Sequence, residues 1–294
     1  RRTKMPTISD PPKPTPFDPG NWGDIVDDKT IQNLPTPTQY PHTYRVLPHG
    51  TFVDMAERLL ESHGFTLSEP VHYAAAPVKN PKIKDHKKYG RFLSLYGISR
   101  PDLPETGDRW WEFALTNSYD MSTRAGGALG ERVQVCSNGM TLGKVAGKVS
   151  KKHMRGLGSE DDGFESLYNM LDACISGIPS VAQDRVRRVE WMKNVECGDD
   201  DAKHCIMEAA REGVIGAAAT MRVLGHWETP EHPEFRERTV DSLYNAFTSN
   251  DRGRNVITQA SRFGRLDKIL NDRFSVVDVT SSIDDSLSLL GSDF

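Results

Sequence analysis

The chain has 294 residues, 37% hydrophobic and 27% charged, with formal net charge −4 and mean hydropathy −0.55. That length can bury a real core as one large domain or two small ones. No apolar run approaches the ~20 residues that span a bilayer, and Arg1–Asp10 carries no apolar signal region, so a membrane-spanning or exported protein is not expected.

Residues 1–43 hold nine prolines. Proline lacks the amide donor and fixes φ, so this stretch is expected as an extended arm, outside helix and central strand. Trp22, Ile25, Val26, Ile31 and Leu34 interrupt it with apolar side chains. Such an arm is expected to lie across the domain or to grip a neighbouring subunit.

From Phe52 to His63 the apolar residues Phe52, Met55, Ala56, Leu59 and Leu60 recur at helical spacing, and Gly64 is a natural stop. Short alternating segments rich in Val, Phe, Tyr and Trp follow at 65–74, 91–98, 110–117, 130–137 and 140–149. Ser137-Asn138-Gly139 lies between two of them and predicts a tight hairpin, because Asn-Gly readily takes positive φ. From about residue 160 the spacing is helical over 161–178, 181–195, 200–224, 240–248 and 255–270. The apolar run Val214–Met221 is expected inside a buried helix. With no βαβ alternation, a doubly wound nucleotide fold is unexpected.

The fold class is therefore α+β: an antiparallel meander preceded by one helix and followed by a helical half, with an extended N-terminal arm. The domain reading is arm 1–43, core 44–272 and acidic tail 273–294. Cys136, Cys174, Cys197 and Cys205 show no CxxC or CxxC…HxxxH spacing, which predicts buried reduced thiols and no structural zinc. No metal or other cofactor is expected.

Charge is uneven along the chain. Between Lys79 and Arg155 fifteen Lys and Arg face seven Asp and Glu, whereas Phe274–Phe294 has four Asp and neither Lys nor Arg. Such asymmetry points to a polyanion partner and an acidic tail. The densest basic stretch carries Lys79, Lys82, Lys84, Lys87, Lys88 and Arg91 around Tyr89, with Phe92 and Tyr96 next. Lysines for phosphates beside rings for base stacking are what single-strand binding uses, provided the rings face outward. A second cluster has Lys144, Lys148, Lys151, Lys152 and Arg155; beside the first it would form one groove. Arg252, Arg254, Arg262, Arg265 and Lys268 make a third basic group, expected to face solvent.

Asn117–Gly127 gathers polar side chains beside glycines. Asp120 and Arg124 form a possible charged pair there, yet Asx-type turns explain the same residues without chemistry. No nucleophile elbow, Walker loop or HExxH occurs, so no catalytic residue is assigned. A nuclease would draw its carboxylates from Asp108, Glu112 and Asp120. The tail, with Asp284, Asp285, Asp293 and Phe294, resembles the acidic, phenylalanine-terminated tails of bacterial and phage single-stranded DNA-binding proteins. That implies a replication or recombination protein as its partner.

Tyr44-Arg45-Val46-Leu47-Pro48, Asn117-Ser118-Tyr119-Asp120-Met121-Ser122 and Val135-Cys136-Ser137-Asn138-Gly139-Met140 resemble landmarks of a phage- and plasmid-borne family, known only as domain of unknown function nine-three-two. The likeness spans roughly residues 42–270. It departs at Tyr119, where that family often has histidine. The resemblance implies a mobile-element context in the cytoplasm of a bacterial host, but no catalytic residue. The function expected from all this is a homo-oligomeric single-stranded DNA-binding or strand-annealing protein. The alternatives are a protein-interaction or structural module of a mobile element, or a metal-dependent nuclease.

Overall fold

In a computed structural model, residues 10–14, 23–38, 40, 41, 43–75, 90–104, 109–133, 139–141, 148–151, 164–250 and 256–274 are described. Apolar spacing sets the first long helix. In α2 (His49–Ser62) the buried residues Phe52, Val53, Ala56, Leu59 and Leu60 form one face. The helix ends where Gly64 takes φ +79° and the Phe65 amide donates back to the Leu60 carbonyl at 3.0 Å, a glycine-terminated C-cap.

Seven strands follow: β2 (Thr66–Leu67), β3 (Val71–Ala75), β4 (Arg91–Ser99), β5 (Arg109–Ser118), β6 (Ala125–Val133), β7 (Gly139–Thr141) and β8 (Lys148–Lys151). With β1 (Asp24–Val26) they make one sheet in the order β1-β3-β4-β5-β6-β7, with β2 alongside β4 and β8 alongside β6. Every pairing is antiparallel. The expected meander and α+β class are observed. β6 and β7 do pair, but Arg132 lies opposite Gly139, so Gly139 is a strand residue and the tight Asn138-Gly139 turn is not formed; Ser137 and Asn138 lie outside the described residues.

Both faces of the sheet are covered. One carries Phe92, Tyr96, Phe113, Leu115 and Leu129 into a core shared with α2 and with α3 (Glu165–Ser176). The other carries Val71, Tyr73, Leu93, Leu95 and Ala114, also buried. The central strands therefore read as near-continuous apolar runs. Phe92 and Tyr96 are 0% and 1% exposed, so neither is a stacking platform, contrary to expectation.

The N-terminal segment is more structured than an extended arm. Asp24 pairs with Ala74, and α1 (Asp28–Gln32) starts at Asp27, whose carboxylate accepts from the Thr30 amide at 2.8 Å. Among the described residues, α1 and α2 thus both precede the meander, where one helix is expected. Local capping and edge-strand pairing override the low propensity of a proline-rich stretch. Further upstream, Pro11 and Pro14 are buried. There the Pro12 carbonyl lies over Gly97 of β4.

The helical half comprises α3, α4 (Ile178–Asn194), α5 (Asp199–Arg211), α6 (Ala217–Glu228), α7 (Val240–Asn250) and α8 (Val256–Phe274), with a 3-10 turn at Pro233–Phe235. Its core joins Met192, Ile206, Trp227, Tyr244, Phe247, Phe263 and Leu266. The helix expected over 200–224 is two helices. Gly213 takes φ +65° and the Val214 amide donates to the Ala209 carbonyl at 2.8 Å, ending α5. Val214 and Ile215 are buried between the helices, but Met221 is 70% exposed, so the run Val214–Met221 is not one buried helix. Cys174, Cys197 and Cys205 are free and buried; burial pushes the last two thiols up to about 12 and about 11. No helix among the described residues is long and apolar enough to cross a membrane.

Candidate functional site at one end of the sheet

The register gathers several strand ends together. Ala75 pairs with Arg91, Arg91 with Ser118, Thr116 with Gly126, and Ala125 with Lys151. The chain thus leaves β3 at Ala75 and returns at Arg91 on the same end of the sheet where β8 closes at Lys151. The first of these gaps contains the first basic stretch. The second basic cluster runs through Lys148 and Lys151 of β8. Arg91 and Lys151 are separated by three strand spacings, about 14 Å. Lys79, Lys82, Lys84, Lys87, Lys88, Tyr89, Lys144, Lys152 and Arg155 lie outside the described residues, as do Asp284, Asp285, Asp293 and Phe294 of the tail.

Between Arg91 and Lys151 sits the turn from β5 to β6, built by its own polar side chains. The Ser118 hydroxyl donates to the Thr123 carbonyl at 2.7 Å and accepts from the Thr123 amide at 3.0 Å. Asp120 accepts from the Ser122 amide at 3.0 Å, an Asx turn that holds Met121 at φ +62°. Asp120 is buried, with its carboxylate 4.0 Å from Arg91 Nε. The Tyr119 amide donates to the Gly90 carbonyl at 2.6 Å, tying this turn to the start of β4.

Beneath the turn lies a buried group drawn from distant parts of the chain. The His49 ring stacks on Tyr119 with centroids 3.7 Å apart and an interplanar angle of 8°. The His49 amide donates to the Tyr119 hydroxyl at 2.8 Å, and Asn117 Nδ2 donates to the Leu47 carbonyl at 2.8 Å and reaches His49 Nδ1 at 3.0 Å. The Tyr44 hydroxyl donates to the Ser118 carbonyl at 2.8 Å. Burial pushes the Tyr119 phenol up to about 12. It raises Tyr44 further, helped by the nearby Asp120 and Tyr119. Both phenols therefore stay protonated and serve as hydrogen-bonding posts. The arrangement saturates the turn internally and leaves Met121, Ser122 and Arg124 outward. Tyr40 adds an exposed ring whose centroid is 5.9 Å from that of Tyr44.

His49 and Tyr40 escape a reading of the sequence by motif, and Tyr44 enters it only as a landmark of the resemblance, with no role at the site. Pro48 directly before a helical run is a start signal, and it would have put His49 in the first turn of α2.

A second buried polar array crosses the sheet. The Ser94 hydroxyl is 2.6 Å from His72 Nδ1, and His72 Nε2 is 3.7 Å from the Asp28 carboxylate. Serine, histidine and aspartate in series invite comparison with a nucleophilic triad. Ser94 is 0% and His72 2% exposed, however, so a substrate has no approach to the hydroxyl. The array pins α1 to the sheet.

The remaining sequence candidates separate. Glu112 and Ser118 lie six residues apart on β5, about 20 Å along the strand, so Glu112 and Asp120 do not share a site; Asp108 lies outside the described residues. No group of three or more His, Cys, Asp or Glu among the described residues could hold a metal ion. In the third basic group, Arg262 donates to the Val214 carbonyl at 2.6 Å and Arg265 to the Gly213 carbonyl at 3.2 Å. These bonds secure the α5–α6 connection; Arg262 is half-buried there, while Arg265 and Lys268 are exposed, as expected. Lys268 lines a cleft of about 570 Å³ between α5 and α8, with His204, Glu208, Glu212 and Asp272. Its charges are of both signs, unlike a phosphate groove. Arg252 and Arg254 lie outside the described residues.

Comparison of the chain with protein-family models, with curated proteins and with solved structures finds no match.

Proposed function

We propose that the protein binds single-stranded DNA across the end of the sheet formed by β3, β4, β5, β6 and β8, and acts in strand annealing or recombination for a phage or plasmid. The observation that carries this reading is the register. Residues flanking the lysine-rich stretch and residues within the second basic cluster stand about 14 Å apart at one sheet end. Lysines there neutralise phosphates and release counterions, a sequence-independent term. Tyr40, exposed beside the turn, and Tyr89 are the rings assigned to base stacking, in place of the buried Phe92 and Tyr96. Asp120 holds Arg91 and the turn in shape.

Fluorescence anisotropy with labelled single- and double-stranded oligonucleotides across a salt series tests the reading. Single-strand affinity should fall with salt at a log–log slope of about −0.7 per phosphate contacted. Replacing Lys82, Lys84, Lys87 and Lys88 by alanine, or Lys148 and Lys151, should flatten that slope in both cases. An unchanged slope in both variants, or no binding at low salt, removes DNA as the ligand.

A further inference from the structure

Gly97 of β4 belongs to the face of the sheet that also carries Leu93 and Leu95, because side chains alternate along a strand. A Cβ at Gly97 would lie 2.2 Å from the Pro12 carbonyl oxygen and 3.1 Å from Ser68 Oγ. The missing side chain is what lets the Pro11–Pro14 segment cross the sheet. Beneath it the strand is held from the side: the Gly97 amide donates to Ser68 Oγ and the Ser68 amide to the Gly97 carbonyl, both at 2.9 Å. Pro11 and Pro14 are buried and Lys13 is exposed. The Lys13 ammonium meets the Glu69 carboxylate at 2.8 Å. A proline-rich segment loses little conformational freedom on docking, and this groove offers it a floor without a side chain and one carboxylate for its cation.

The strap is held by its buried prolines; its ion pair is 57% and 82% exposed, a class that contributes little. Eight residues, 15–22, separate it from Gly23 in the sequence. Val71, Tyr73, Leu93, Leu95 and Ala114 share the face it crosses, and an apolar face of this kind does not stay uncovered in water. We propose that this groove is a strap-exchange site, which takes the Pro11–Pro14 segment of a second copy of the chain when its own is displaced. The inference is independent of the DNA reading, since the groove lies on the sheet face and not at its end.

The test uses the full chain and a labelled synthetic peptide of residues 6–20. A strap variant, Pro11→Ala with Lys13→Glu and Pro14→Ala, weakens the internal occupant. The peptide should bind this variant at least tenfold more tightly than wild type, and Gly97→Val added to it should abolish binding. A strap variant with wild-type near-ultraviolet circular dichroism that does not bind the peptide overturns the proposal. So does binding indifferent to Gly97→Val. A charge swap covers the case in which Gly97→Val fails to fold: Glu69→Lys should shift preference about threefold toward a peptide carrying Lys13→Glu. Equal affinity for the two peptides overturns the proposal as well.

Discussion

Arg185 of α4 donates two hydrogen bonds to one carboxylate oxygen of Glu131 on β6, at 3.1 and 2.9 Å, and both side chains are buried. The guanidinium also lies 4.9 Å from the centroid of the Tyr244 ring on α7. Burial opposes the charge on Arg185, but Glu131 outweighs it and keeps the group ionised. The pair thus joins the sheet to the helical half through a contact that neither partner can leave alone.

Glu131→Gln removes one charge and strands the other. Breaking a buried pair this way costs about 3–5 kcal/mol, read as a lower urea midpoint at unchanged slope. Replacing both partners, as Glu131→Leu with Arg185→Met, should recover most of that loss, because no uncompensated charge remains. A single variant as stable as wild type would show that the pair does not join the two halves.

His72 makes stability sensitive to mild acid. Burial lowers its pKa despite the nearby carboxylates of Asp28 and Asp27. A depressed folded-state pKa means that the unfolded chain takes up the proton first. The stability it supports is present above the ordinary histidine pKa of about 6.5 and is lost as pH falls below it. Glu57 on α2 runs the other way: burial raises its pKa, so the folded state gains stability as Glu57 protonates. Urea midpoints between pH 7 and pH 5 should therefore fall more steeply in Glu57→Gln than in wild type. His72→Gln should be flatter than wild type. Equal slopes for wild type and His72→Gln would contradict the assignment.

Tyr119→Phe keeps the ring stacked on His49 but removes the acceptor for the His49 amide. A buried donor left without its partner costs about 1–3 kcal/mol, measurable by thermal or urea unfolding. DNA affinity of the folded variant should match wild type, because the phenol sits beneath the turn. A large loss of affinity with unchanged stability would give Tyr119 a direct role instead.

Tyr40→Ala should weaken single-strand binding by about 1–3 kcal/mol if the ring stacks on a base, with Tyr40→Phe retaining most affinity. Anisotropy at fixed salt distinguishes the two. Equal affinity of Tyr40→Ala and wild type would take this ring out of the interface.

Local pattern was sufficient for much of the fold. The apolar spacing of α2, its stop at Gly64, the positions of β4 and β5, and the change to helices after residue 160 are all written in neighbouring residues. Such features depend on contacts a few positions apart, which a sequence displays directly. Only the tertiary structure decided that Phe92 and Tyr96 face the core, because period-2 strands buried on both faces lose the alternation that marks an outside. Only tertiary packing assembled His49 with Asn117 and Tyr119, some 70 residues away. It also decided that Pro12 crosses Gly97. And only strand register decided that Ala75, Arg91 and Lys151 stand at one end of the sheet, because pairing between distant strands is selected by which apolar faces become covered together.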